Sequence, residues 1–290
     1  MMTANVQEFY HKPTNTFSYV VSDPESDAAV IIDPVLDYDH KSGRTGTASA
    51  DTIAAYIQDK GFSVDWILET HAHADHLTAA PYLKGLVGAG IAIGEGIRTV
   101  QKNFVPVFNL KDLATDGSQF DRLFAEGDSF AIGGLTARVM STPGHTSDSV
   151  TYVIGDAAFI GDTLFSPEYG TARVDFPGGD ARLLYQSIQR LFSLPPETRL
   201  FLCHDYPPES RDETPMFTVA RQRAENIHIH DGVDEAAFVT MREARDATLS
   251  MPALIIPSVQ VNIRAGNMPS PEDNGVSYMK VPVNMLGKAL

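Results

Sequence analysis

The stretch ETHAHADHLTAA (residues 69–80) places His71, His73, Asp75 and His76 within six consecutive positions, between the apolar run VDWIL (64–68) and a helix-like segment. Three of the chain's nine histidines fall in this one loop. Side chains leaving a short loop at the end of a strand converge on one point without disturbing the sheet beneath. Imidazole and carboxylate together suit a transition metal of borderline softness, zinc or iron. One such loop rarely completes a site, and later strand ends supply the remainder. STPGHTSDS (141–149) offers His145, FIGDTLF (159–165) offers Asp162, and LFLCHDYPP (200–208) offers His204.

Working outward from these loops, short β-type runs recur at FSYVV, AAVIID, DWILE, IAIG, LTARVMS, SVTYVI, AAFIGD and RLFLCH, many followed by turn residues. Helix-like segments intervene. SADTIAAYIQDKG offers Ser49 or Asp51 as an N-cap and Gly61 as a left-handed stop, and DARLLYQSIQRLF offers Asp180 as a cap. Strands interspersed with helices predict an α/β architecture, its sheets covered by helices. Past Tyr206 the pattern changes to two charged amphipathic helices, SRDETPMFTVARQRAENI and VDEAAFVTMREARDATL, and then an ordered Pro-rich tail beginning at SVQVN. The expected organisation is a catalytic domain over residues 1–210, with a C-terminal helical extension and tail, 211–290, packed on it.

Composition narrows the partners. A formal charge of -15 repels nucleic acid phosphates and anionic lipid, and no apolar run approaches the roughly 20 residues that span a bilayer. No nucleic acid or membrane partner is expected. Cys203, the single cysteine, permits no intramolecular disulfide, and the opening residues lack the pattern of a secretory signal, so the expected compartment is the cytoplasm.

The ordered set His71, His73, Asp75, His76, His145, Asp162 and His204 resembles the metallo-β-lactamase superfamily, whose pattern is a His-x-His-x-Asp-His loop, a Gly-His, a Gly-Asp and a last His. The resemblance covers roughly residues 10–210 and implies an αββα sandwich with its site at one edge, between two sheets. The plainer alternative is a set of surface or hydrogen-bonded core histidines. Within the superfamily two chemistries are open. Two zinc ions sharing Asp162 would activate a bridging water for hydrolysis. A single iron held by His71, His145 and Asp162 would keep its other positions for dioxygen and substrate.

Residues beyond the ligands are similar to those of the persulfide dioxygenases (sulfur dioxygenases). Arg173, Asp175 and Phe176 match an Arg-x-Asp-Phe element, and His204, Asp205 and Tyr206 match a His-Asp-Tyr element. Gly170, Thr171 and Ala172 stand where human-type members carry Gly-Cys-Gly. The resemblance implies one Fe(II) per chain on His71, His145 and Asp162, with Arg173 and Tyr206 beside a substrate such as glutathione persulfide. Dioxygen then oxidises the sulfane sulfur to sulfite and frees glutathione, in sulfide detoxification. His73, Asp75, His76 and His204 become outer partners of the first ligands, or the ligands of a second metal. Plainer roles are a structural ion pair for Arg173, with Asp175 for instance, and simple packing for Tyr206. A zinc-dependent thioesterase of glyoxalase II type is the second reading and a non-catalytic metal-binding partner protein the third. The C-terminal extension and the segment DPVLDYDHKSGRTGTASAD look like a bacterial branch labelled β-lactamase-like hydrolase.

Three expectations remain. Cys203 is expected to be an inert buried thiol, turned away from His204 by strand alternation. His228 and His230 are expected at the surface or an interface, and His11 and His40 carry no motif. A twofold homodimer is expected from the prevalence of such symmetry.

Overall fold

The computed structural model describes residues 3–287. Two six-stranded sheets lie face to face, with helices on both outer sides. The first sheet runs in the order Asn5–His11, Thr16–Ser22, Ala28–Ile32, Ser63–Leu68, Gly90–Gly94, Arg122–Phe124. From Ala28–Ile32 onward its neighbours are parallel, and parallel neighbours require crossovers. Helices α1 (Ala48–Lys60), α2 (Ala80–Val87) and α3 (Ile97–Phe108) provide them in turn. The second sheet runs Ser129–Ile132, Leu135–Ser141, Val150–Ile154, Ala157–Phe159, Arg199–Phe201, Met216–Thr218. Its one parallel pair, Ala157–Phe159 with Arg199–Phe201, is bridged by α4 (Ala181–Phe192).

Alternation along the strands assigns the layers. Tyr19, Val21, Val30 and Ile32 face Val139, Tyr152, Ile154 and Phe159 across the gap between the sheets. Their neighbours Val20 and Ile31 turn outward, onto Ile53, Leu83 and Phe104 of the helices. Met140, Ala158 and Leu200 meet Leu184, Ile188 and Leu191 of α4. The fold is the αββα sandwich that the motif order implied.

Local signals succeed unevenly. Asp180 caps α4, accepting from the backbone N–H groups of Arg182 and Leu183, and Gly61 ends α1 at φ 68°. Neither Ser49 nor Asp51 caps α1. The helix begins at Ala48, and the orphan N–H of Ser49 is taken by Asp37 Oδ2 at 2.9 Å, an acceptor from the strand Val35–Asp39. That strand pairs with Arg44–Gly46 and Leu77–Thr78 in a small third sheet beside the histidine loop.

The C-terminal residues reach both outer layers. Helices α5 (Val219–Glu225) and α6 (Glu235–Asp246) cover the second sheet, Phe238 lying in the core they share with α4. A further helix, α7 (Ile255–Asn262), packs Ile255 and Val259 into the layer outside the first sheet. Its residues include SVQVN, which the sequence analysis assigns to the ordered Pro-rich tail rather than to a helix. Isoleucine, valine and an internal proline give this segment weak helix propensity, so tertiary packing supplies what local preference does not. Among the described residues no helix is long and apolar enough to cross a membrane.

Candidate metal centre

Each candidate ligand sits just beyond the C-terminal end of a strand. His71, His73, Asp75 and His76 follow Ser63–Leu68, and His145 follows Leu135–Ser141. Asp162 lies in a single 3₁₀ turn, Gly161–Thr163, and His204 lies just past Arg199–Phe201. The motif glycines are required by space. A Cβ on Gly161, at φ 50°, would stand 2.7 Å from Thr70 Oγ1, and one on Gly144 would stand 2.3 Å from the Leu184 nitrogen.

The structure brings these seven residues to one place, in two overlapping groups. His145 Nε2 lies 3.6 Å and His71 Nε2 4.0 Å from Asp162 Oδ2. The other carboxylate oxygen, Asp162 Oδ1, lies 3.5 Å from His204 Nε2, which is also 3.1 Å from Asp75 Oδ2. Ligand atoms about 2.1 Å from one metal, at tetrahedral or octahedral angles, stand about 3.0–3.4 Å apart. The observed spacings lie close to that range.

Hydrogen bonds on the far side of each ring fix which nitrogen is left for a cation. Thr70 donates its hydroxyl to Asp33 Oδ2 (2.8 Å) and so accepts from His71 Nδ1 (3.1 Å). His145 Nδ1 donates to the Arg173 carbonyl at 2.7 Å. In both rings Nε2 keeps its lone pair and points inward. The Nε2 atoms of His71, His76 and His204, with Asp162 Oδ1, are buried and have no hydrogen-bond partner, a costly state that a metal would relieve. His73 is oriented differently, with Nε2 on Asp33 Oδ1 at 3.0 Å and its buried Nδ1 unpartnered.

Electrostatics divide the rings differently, placing His204 with His73. Burial, together with the neighbouring histidines, pushes His71 and His76 well below the ordinary imidazole range and keeps them neutral, the form a metal requires. For His73 and His204 burial acts in that direction too, but it is overridden by Asp33 for the first and by Asp75 and Asp162 for the second, so both are held well above the ordinary value. The carboxylates therefore call for positive charge, which a cation in place of a proton satisfies.

Above the ligands opens a cavity of about 940 Å³. Phe165, Tyr169, Phe176 and Tyr206 form its aromatic side, Tyr206 stacking on Tyr169 at 4.6 Å. Burial raises the Tyr206 phenol well above its ordinary range, so the hydroxyl keeps its proton. Arg173 lines the cavity with its fork engaged: Nε and Nη2 donate to Asp175 (2.6 and 2.8 Å) and Nη1 to the Ser250 carbonyl (2.6 Å). The ion pair with Asp175, the plainer of the roles weighed for it, is present. Arg44 and Arg245 line the same cavity, and among the described residues neither has an ion-pair partner.

Two sequence expectations are corrected. Cys203 does not turn away from the histidines. The strand ends at Phe201, alternation lapses in the bend that follows, and the thiol lies within 4.8 Å of ring nitrogens of His73, His76 and His204. Burial raises its pKa, which favours the thiol over the thiolate. His228 is buried rather than at the surface, since a turn directs its Nδ1 onto the Thr171 N–H at 3.0 Å; His230 is exposed. His11 and His40, which carry no motif, both line the cavity. Sequence reading missed Asp33, which supports Thr70 and His73, and Asp148, which accepts from the Ala72 N–H at 2.8 Å. Asp33 closes the run AAVIID, and the rule that selected Asp162, an acid at the end of an apolar strand, would have found it.

The description "Metallo-beta-lactamase superfamily" matches residues 11–204. A "Beta-lactamase hydrolase-like protein" of Xylella fastidiosa is 52% identical over 99% of this chain and 66% of its own length, so the chain spans about two thirds of that relative. "Glyoxylase B2" of Dictyostelium discoideum is 48% identical over 98% of each chain. The mitochondrial persulfide dioxygenase ETHE1 of Homo sapiens is 32% identical over 69% of this chain and 68% of its own. Among solved structures, ETHE1 from Myxococcus xanthus superposes with a TM-score of 0.73 at 28% identity, covering 91% of this chain and all of that one.

Proposed function

Because this chain belongs to the metallo-β-lactamase superfamily, we propose that it is a non-haem iron persulfide dioxygenase, oxidising the sulfane sulfur of glutathione persulfide with O2 and one water to sulfite and glutathione. One observation carries the reading. His71, His145 and Asp162 form a buried group of two imidazoles and one carboxylate, their ligand atoms within 4.8 Å of one another, and His145 and Asp162 line a roomy cavity. Two histidines and a carboxylate with open positions are the ligand set of non-haem Fe(II) oxygenases. Iron held there supplies the redox chemistry between O2 and the sulfane sulfur.

The chain's own residues do the rest. The Arg173 carbonyl and Thr70 hold the His145 and His71 rings with Nε2 toward the metal position. Phe165, Phe176 and the Tyr169–Tyr206 stack wall the cavity, Phe176 packing against the His145 ring at 5.4 Å. Tyr206, held protonated, offers its O–H as a donor to a bound persulfide. A glutathione moiety carries two carboxylates. With Arg173 committed to Asp175, Arg44 and Arg245, which have no ion-pair partner among the described residues, are the cations placed to receive them.

A zinc-dependent thioesterase is the second reading. It is favoured by Asp162 Oδ1 facing His204 Nε2 at 3.5 Å, the arrangement of a carboxylate shared between two metals, and by the likeness to Glyoxylase B2. The test is an aerobic assay of the metal-loaded protein. Oxygen uptake with sulfite release from glutathione persulfide, and a single bound iron, are expected. Hydrolysis of S-lactoylglutathione without oxygen uptake, together with two bound zinc ions, would overturn the dioxygenase reading.

A further inference from the structure

Two sets of hydrogen bonds reach from the C-terminal helices into the loops that carry the ligands. Asn262, the last residue of α7, donates from Nδ2 to the carbonyls of His73 and His76, both at 2.8 Å, and accepts at Oδ1 from the Thr78 N–H at 3.0 Å. One buried amide thus satisfies backbone groups along the whole second half of the histidine loop.

The second set works at the opposite side of the site. Arg242 and Asp246, one turn apart on α6, pair through Nη2 and Oδ1 at 2.6 Å. Arg242 Nη1 donates to the Thr171 carbonyl at 3.0 Å, and Asp246 Oδ2 accepts from the Val174 N–H at 2.8 Å. The pair holds both ends of a four-residue loop. Inside that loop is the Arg173 carbonyl, the acceptor for His145 Nδ1.

Stability alone is a poor reason for these groups. A buried ion pair such as this one, with Arg242 only 1% exposed, is often matched or surpassed by apolar side chains of similar volume, because desolvation offsets the attraction. What apolar residues cannot do is fix the directions of carbonyls and N–H groups along these loops, where sheet pairing reaches only Leu77–Thr78 and a single bridge from Thr171 to Leu164. All three side chains also lie outside residues 11–204, the span that matches the superfamily description.

We propose that Asn262 and the Arg242–Asp246 pair are positioning residues of the metal centre, through which the C-terminal extension sets the backbone of both ligand loops. The inference rests on His71, His145 and Asp162 being the ligands, as proposed above, and is independent of which reaction follows. Outer partners of metal ligands are typically worth about 10–100-fold in metal affinity.

The test is chelator competition for Zn(II) and Co(II) on the full chain. Asn262→Leu and Arg242→Met should each weaken binding about 10–100-fold, and Arg242→Met should also shift the visible spectrum of bound Co(II). Phe238→Leu, which loosens the same helix from the core while removing none of these hydrogen bonds, serves as control and should lower Tm while leaving metal affinity within about twofold. Should Arg242→Met fail to fold, Asp246→Asn removes the pair's charge while keeping an oxygen for the Val174 N–H, and is read in the same way. Folded Asn262 and Arg242 or Asp246 variants that bind metal like the parent would overturn the proposal. So would an equal loss of affinity in Phe238→Leu. His145→Ala separates the two levels. If it binds metal normally, the ligand assignment falls and this inference with it; if it alone loses metal, only the positioning role falls.

Discussion

The two halves of the candidate centre contain similar residues and leave different things open. On one side, His71 and His145 are both anchored through Nδ1 and share a single carboxylate oxygen, Asp162 Oδ2, at the floor of the cavity. On the other, His204 lies within 3.5 Å of two carboxylates, and the Cys203 thiol crowds the rings of His73 and His76. The first half is short of ligands and therefore suited to binding reactants. The second is rich in donors and suited to holding charge. Counting metal-competent side chains does not reveal this difference, because Asp162 serves both halves.

The largest effect is expected where the halves meet. Asp162→Ala should lose more than about 100-fold in metal affinity and its turnover with it, since a first ligand outweighs the outer partners; metal analysis after desalting reads the outcome, and a metal-replete active variant would refute the shared role. A contrast between the halves comes next. His71→Ala should strip the metal, whereas His76→Ala should keep it with affinity reduced about 10–100-fold. Equal losses, with two metals in the parent, would merge the halves into one dinuclear site and favour the hydrolase.

A smaller effect is expected on the cavity side. Tyr206→Phe keeps the aromatic stack and removes one donor, worth about 0.5–1.5 kcal/mol, so KM for the persulfide should rise about two- to tenfold with kcat held. An unchanged KM would return Tyr206 to packing alone.

The last effect concerns stability. Burial, with Arg242 and Arg245 nearby, pushes His228 down to about 4, below the value near 6.5 of the unfolded chain. Between those values the unfolded state takes up a proton that the folded state refuses. The contribution is therefore complete above pH ~6.5 and is lost as pH falls toward about 4. His228→Gln should lose less Tm than the parent across that window; parallel Tm profiles would show that His228 does not titrate as its surroundings imply.

Legibility in the sequence followed the range of the interaction involved. The convergence of the candidate ligands was readable because their loops end apolar runs, and strand ends on neighbouring strands meet in any such sandwich. The Asp180 cap and the Gly61 stop are likewise local, set within a few residues of chain. The cap of α1 was not readable, since its acceptor is Asp37, contributed by another element. Helix α7 was hidden for the same reason, and with it Asn262, whose partners lie 184 to 189 positions away.

By itself the sequence determined the layered α/β class and the order of the ligand-bearing loops, because hydrophobic periodicity and strand-end chemistry are written along the chain. Only the tertiary structure decided which oxygen of Asp162 meets which imidazole, that Arg173 is tied to Asp175, that Cys203 turns toward the histidines, and that the C-terminal helices clasp the metal loops. Those outcomes depend on directions in space between residues far apart in the chain. A hydrogen bond or a ligand atom is specified to a few tenths of an ångström, and only packing fixes position that finely.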